Sequence, residues 1–187
     1  AFRISGFTLN KYRVRPCSHV FINDKIIVAD EHTYAFEEKK DGKSSYTIYQ
    51  PFGERKWRKN HDASVFYGWS QLPETGDRLI ITKSMKDVMA IDEISRVPVT
   101  SLQGEKVAPK DHIIDELKSR FKEIYLFYDN DWNKTTNWGR QFGKELSEKY
   151  ALPQIEIPDL IAERYEATDY TDLAKNSDYT DLTLKNM

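Results

Sequence analysis

Two carboxylates just past an apolar run are the residues best equipped for chemistry: Ile124-Tyr125-Leu126-Phe127-Tyr128 leads into Asp129-Asn130-Asp131. The run reads as a buried strand, and carboxylates at alternate positions after a parallel strand can reach one small volume. Hard oxygen ligands gathered in this way suit Mg²⁺ or Mn²⁺. Open α/β sheets place their sites outside the carboxyl ends of the strands, which is where this pair falls. The same residues would also serve as an acidic turn opening a helix. The elements around them decide between the two readings.

Those elements alternate. Residues 78–82 read as a strand, and 84–94 as a helix with Met85, Val88, Met89 and Ile91 on one face. A second strand at 97–101 and a helix at 109–122, with Ile113, Ile114, Leu117 and Phe121 inward, precede the third strand at 124–128. A helix at 138–150 and a short strand at 153–157 follow. Strands alternating with helices argue for βαβ units and a parallel sheet. Residues 1–73 have another texture, with short β-prone runs at 20–22, 26–28, 33–36 and 46–49, turn signals Asn23-Asp24 and Asp41-Gly42, and a helix near 8–12. Val65-Phe66-Tyr67-Gly68-Trp69 reads as a further strand. The expected organisation is an α/β chain in three parts: a small, mixed, strand-rich N-terminal lobe over 1–73, a parallel sheet flanked by helices over 74–175, and a polar tail over 176–187. Residues from 173 onward read as polar and partly disordered.

Composition excludes several classes. The 187 residues suffice for one well-filled core or two small lobes. Apolar residues are 39% and charged residues 31%, and no apolar run is long enough for a membrane span. Ala1-Phe2-Arg3-Ile4-Ser5-Gly6 carries no signal-like apolar core, so an intracellular location is expected. The single cysteine, Cys17, allows no internal disulfide, and His19, His32, His61 and His112 are too scattered for a zinc pattern. The net charge of −2 hides an asymmetry. Arg55-Lys56-Trp57-Arg58-Lys59-Asn60-His61 is basic around an aromatic ring, whereas Asp159, Glu163, Glu166, Asp169, Asp172, Asp178 and Asp181 make the C-terminal third acidic.

Three strand ends then stand together: Lys83-Ser84-Met85-Lys86-Asp87, Asp129-Asn130-Asp131, and Thr168-Asp169-Tyr170-Thr171-Asp172. Over roughly residues 77–175 this resembles the Toprim domain, the catalytic module of bacterial-type replicative primases, type IA and II topoisomerases and some nucleases. Asp87 matches the last residue of the family's Glu-Gly-x-x-Asp motif, while Lys83 stands where the family keeps its Glu. The Lys-Ser-x-Lys-Asp-Val-Met form is similar to that of phage and mobile-element primase-like proteins. The N-terminal part resembles a primase lobe, through Tyr46-Thr47-Ile48-Tyr49-Gln50-Pro51, Lys56-Trp57-Arg58-Lys59-Asn60 and Phe66-Tyr67-Gly68-Trp69. Asn133-Lys134-Thr135 departs from the family, which places a Gly after Asp-x-Asp.

The resemblance implies a primase catalytic core that makes short RNA primers on single-stranded DNA with Mg²⁺ or Mn²⁺. Asp87, Asp129, Asp131 and Asp169 are the implied metal ligands, with Asp172 a further candidate. Asp87, Asp129, Asp131, Lys83 and Glu105 form the implied catalytic set. Lys56, Arg58 and Lys59 would meet phosphates. Trp57, Tyr49, Tyr46 and Asn60 complete the nucleic-acid and nucleotide surface, with Trp57 and Tyr49 stacking on unpaired bases. Ribonucleoside triphosphates, a replicative helicase and a separate zinc-binding module are the implied partners, in the cytoplasm of a bacterial or phage-infected cell. Lys83 leaves alternatives open. Its ammonium could contact a phosphate while Glu105 restores the carboxylate, or the domain could be a weakened binding module. A Toprim nuclease is the third reading.

Overall fold

The computed structural model describes residues 4–22, 24–60, 62–104 and 107–177. After helix α1 (Gly6–Lys11), strands β1 (Val14–Pro16), β4 (Tyr34–Lys40), β5 (Lys43–Tyr49) and β6 (Trp57–Lys59) form an antiparallel sheet in the order β1-β4-β5-β6. Strands β2 (His19–Ile22) and β3 (Lys25–Val28) form a separate hairpin. The predicted Asp41-Gly42 turn joins β4 to β5, both residues having positive φ (50° and 73°), as a two-residue hairpin turn requires. Period-two alternation sends Phe36, Glu38, Lys40, Ser45 and Thr47 to the buried face.

The segment 65–69 is not a strand. Tyr67 makes an isolated bridge to Ser101, with bonds of 2.8 and 3.0 Å. Gly68 then turns to φ 76°, and Trp69–Gln71 closes a 3-10 turn. The cause is local. The buried Glu38 carboxylate accepts from Gly68 N (2.6 Å), Ser70 N (3.3 Å) and Ser70 Oγ (2.7 Å), which bends the chain away from extension. A Cβ at residue 68 would meet Val88 Cγ1 at 3.0 Å and the Val99 carbonyl at 3.2 Å.

The second sheet carries β7 (Gly76–Thr82), β8 (Val99–Ser101), β9 (Phe121–Phe127) and β10 (Gln154–Ile155), all parallel, in the order β10-β9-β7-β8. Helices α2 (Met85–Ser95), α3 (Asp111–Arg120), α4 (Trp138–Tyr150), α5 (Asp159–Arg164) and α6 (Tyr170–Asn176) complete it. Ile80 and Phe127 join Val88, Ile91, Tyr170 and Leu173 in one core, while Leu79, Ile81 and Leu126 join Ile113, Leu117 and Leu146 in another. Successive strand residues thus feed two cores on opposite faces, as a parallel sheet covered on both sides requires. Two sequence expectations change. Residues 121–123 belong to β9, because Phe121 is extended and lays its ring over Gly76, where a Cβ would come within 2.9 Å of the ring. Residues 173–176 are not tail: Asp169 caps α6, and Leu173 and Ala174 are buried. No helix among the described residues is long and apolar enough to cross a membrane.

Candidate active site

β7 and β9 are neighbours in one parallel sheet, so the residues leaving their carboxyl ends emerge side by side. Ser84 follows β7 and caps α2. Its Oγ accepts from Asp87 N (3.2 Å), the N-cap bond, and donates to Asp87 Oδ2 (2.5 Å). Asp87 is fully buried, where a plain first-turn acid would face water. Its Oδ1 accepts from Thr171 N (3.2 Å) and Thr171 Oγ1 (2.7 Å), so α6 fixes the carboxylate from the other side. Asp169, two residues earlier, caps α6 through Asp172 N (2.7 Å). Carboxylate oxygens of Asp87, Asp129 and Asp169 all lie within 4.8 Å of one another. Burial and the Asp87 charge push Asp169 from 3.8 up to about 6, against the pull of Lys86.

Asp131 stands beside this trio. Its Oδ2 accepts from Gly139 N (3.3 Å) at the start of α4, and its Oδ1 pairs with Lys134 (2.5 Å). Burial would raise this carboxyl, but Lys134, the Gly139 N–H and the Lys83 charge outweigh it and hold Asp131 below the usual range. Two further lysines meet the cluster. The Lys83 ammonium bonds Asp129 Oδ2, and Lys86 lies 3.5 Å from Asp169 Oδ2. Burial disfavours the Lys86 charge, yet Asp169, Asp87 and Asp172 together raise it above its ordinary value. Glu105 lies outside the described residues.

Sequence reasoning missed the scaffold that holds the Asp-x-Asp turn. Asn130 is fully buried, donating to the Ile157 carbonyl (2.8 Å) and Asp159 Oδ1 (2.7 Å). Asn137 donates to Asn130 Oδ1 (2.7 Å), while its own Oδ1 accepts from Asp131 N (3.0 Å) and Arg140 N (3.1 Å), capping α4. Gly139, in the first turn of α4, lies against this turn. A Cβ there would sit 2.5 Å from the Asp129 carbonyl oxygen. An Asn and a Gly flanking the first residue of a helix were the available signals.

The donor set fits a hard divalent cation. Three carboxylates converge and two are buried, and Asp169 is raised first by burial and then by the neighbouring Asp87 charge, a cost that a bound cation would relieve.

The basic segment divides by face. Trp57 pairs with Tyr49, Arg58 with Ile48, and Lys59 with Thr47. Tyr49, Trp57 and Lys59 therefore share the inner face with the buried Thr47, whereas Arg58 and Tyr46 share the outer one. On the inner face Trp57 packs on Tyr49 at 4.4 Å between ring centroids yet stays 50% exposed. Lys59 donates to the Gln103 carbonyl (2.8 Å) and Ser45 to Gln103 Oε1 (2.9 Å). Gln103 lies just beyond the carboxyl end of β8, so β6 is tied to the sheet end that carries the acids. On the outer face Arg58 donates to Gln50 (3.2 Å), and the Tyr46 hydroxyl donates to Glu37 (3.0 Å). Asn60 Oδ1 accepts from Tyr46 N (2.7 Å), and Lys56 is exposed. Trp138 is also half exposed, while Trp69 packs between Lys40 and Arg120.

No family model matches the sequence, and no curated protein matches it. Solved structures do. The primase domains of two gp4 subunits in a bacteriophage T7 lagging-strand DNA polymerase complex, bound to an RNA/DNA hybrid and dTTP, align at a TM-score of 0.65 and 16% identity, over 92% of this chain and 81% of that one. The E. coli primase catalytic core aligns at 0.65 and 12%, over 88% and 66%. A DnaG primase catalytic domain bound to ssDNA aligns at 0.64 and 12%, over 87% and 67%. The chain thus has the Toprim primase-type fold, and it spans about two thirds of the bacterial cores it matches.

Proposed function

We propose that this chain is a primase catalytic core that uses Mg²⁺ or Mn²⁺ to join ribonucleotides into short primers on single-stranded DNA. One observation carries the proposal: Asp87, Asp129 and Asp169 converge at the carboxyl ends of the sheet, within a two-lobed fold similar to primase cores. These three residues, with Asp131 beside them, would hold the metal. When bound, the ion supplies charge neutralisation and alignment of the triphosphate, which is most of what phosphoryl transfer asks of a protein. The chain's own part is positional. Ser84 and Thr171 keep Asp87 from rotating, and Gly139 and Asn137 keep the Asp129 turn against α4. Trp57 and Tyr49 offer a stacking surface, and Lys56, Arg58 and Lys59 offer charge to phosphates.

A replicative helicase and a zinc-binding module are proposed partners. In support, one similar T7 structure is the primase fragment of a primase-helicase protein, and one from Aquifex aeolicus holds zinc-binding and RNA polymerase domains. The phage or mobile-element variety and the cytoplasmic setting belong to the same proposal and rest on the Lys83–Met89 motif. Incorporation of labelled ribonucleotides on single-stranded DNA tests the reading. Absence of product with Mn²⁺ and the full-length context overturns it.

The Lys83–Asp129 ion pair favours a second reading, a catalytically weakened nucleic-acid-binding module. It predicts ssDNA binding that survives Asp129→Ala and Asp131→Ala, together with no primer synthesis. The primase-like N-terminal lobe speaks against a nuclease, and a plasmid-nicking assay decides that point.

A further inference from the structure

Four site carboxylates are met by three lysines that differ in kind. Lys134 is 60% exposed and reaches Asp131 from three residues away. Lys86 belongs to α2 and approaches Asp169 from the helix side. Lys83 is only 20% exposed, leaves the end of β7, and bonds the carboxylate that leaves the end of β9. Its charge reaches Asp131 as well. The ammonium thus sits between two adjacent strand ends, against the Asp-x-Asp pair.

We propose that Lys83 is a tethered cation standing in for one divalent ion, so that the site takes a single ion, on the Asp87–Asp129–Asp169 side, where a two-ion centre would otherwise form. The proposal rests on the metal-binding reading above. Paired catalytic ions lie about 3.5–4 Å apart and share a carboxylate. An ammonium bonded to one oxygen of Asp129 occupies that second position if the first ion takes the other oxygen. It satisfies the carboxylate with N–H donors and balances charge, and it can donate a hydrogen bond to an oxygen, but it has no vacant coordination site with which to ligate and polarise a water or a phosphate oxygen as a metal does. Its positive charge also repels a second ion. A glutamate at the same strand end would reverse both effects.

The test counts Mn²⁺ on the full chain without nucleotide, by electron paramagnetic resonance of the free ion and by calorimetry. The expected result is one ion on the natural protein, two on Lys83→Glu, and one on Lys83→Gln bound about tenfold or more tightly, since a neighbouring positive charge is gone. Circular dichroism melts establish that the variants fold. If Lys83→Glu does not fold, Lys83→Gln decides, and unchanged affinity overturns the proposal. Two ions on the natural protein overturn it while leaving primer synthesis standing. No ion on either the natural protein or the variants overturns this proposal and the metal-dependent reading together.

Discussion

Gly139 presses its α-carbon against the backbone of Asp129. A Cβ at 139 would lie 2.5 Å from the Asp129 carbonyl oxygen and 2.6 Å from its Cβ. The close approach brings the first N–H groups of α4 onto the Asp-x-Asp turn, where Asp131 accepts from Gly139 N. Gly139→Ala must therefore push helix and strand end apart, and backbone atoms cannot yield as a flexible side chain would. The expected cost is about 1–3 kcal/mol, as for other overpacked sites. It should appear in a urea melt together with weakened Mn²⁺ binding, whereas Gly6→Ala, which meets open space, should leave metal binding unchanged.

Asn137 does three things with one amide. Asn137→Ala removes the acceptor for Asp131 N and Arg140 N and the donor to buried Asn130. Loss of the cap alone costs about 0.5–2 kcal/mol, and the orphaned Asn130 oxygen adds to it. Asn137→Asp keeps the cap but not the donor, so its stability should fall between the natural protein and the alanine variant. An aspartate variant as stable as the natural protein would show that the Asn130 bond contributes nothing, and equal stability of the two variants would show the same of the cap.

Much of this was legible in the sequence, and the limits have physical causes. The βαβ alternation after residue 76 was readable because β7 and β9 each hold a short apolar run, at 79–81 and 124–127, and the helices between keep their apolar spacing. Residues 65–69 misled because Phe66 and Tyr67 are as apolar as any strand, while the turn at Gly68 is imposed by Glu38 from a distant strand. The convergence of Asp87 and Asp129 followed from their places at strand ends. The contribution of Thr171 could not, since it depends on α6 folding back over α2, and the second half of that helix, from 173, read as polar tail. The lysine pairings were likewise hidden, because sequence gives a side chain's charge but not its direction.

The alternation of β6 separates two halves of the basic segment. If the template runs over the carboxyl end of the parallel sheet, it meets Trp57, which shares a face with Lys59, the residue bonded to Gln103. Trp57→Ala should then weaken ssDNA binding by about 1–3 kcal/mol, the worth of one base–aromatic stack. Tyr46→Phe, on the opposite face, should change it little. Neutralising Lys56 should lower the salt dependence of binding by about one unit of slope for a phosphate contact. Fluorescence anisotropy with a labelled oligonucleotide measures all three. A larger loss at Tyr46 than at Trp57 would place the strand on the outer face.

Asp169 makes the site's stability depend on pH, with a sign that metal reverses. Its carboxyl moves from 3.8 to about 6 on folding, chiefly through burial and then through Asp87. Between these values the folded protein holds a proton that the unfolded chain has lost, so this contribution is greatest at low pH and declines as pH rises through about 6. Asp169→Asn removes the charge and keeps a good cap for α6. Without metal, the variant should be more stable than the natural protein near pH ~7, and the difference should shrink toward pH ~4. Added Mn²⁺ binds the ionised carboxylate, so the gain in melting temperature of the natural protein should grow from about pH 5 to about pH 7. Asp169→Asn should lose most of that gain. A metal-induced gain of equal size in both proteins at every pH would remove Asp169 from the ligand set and leave Asp87 and Asp129 to hold the ion.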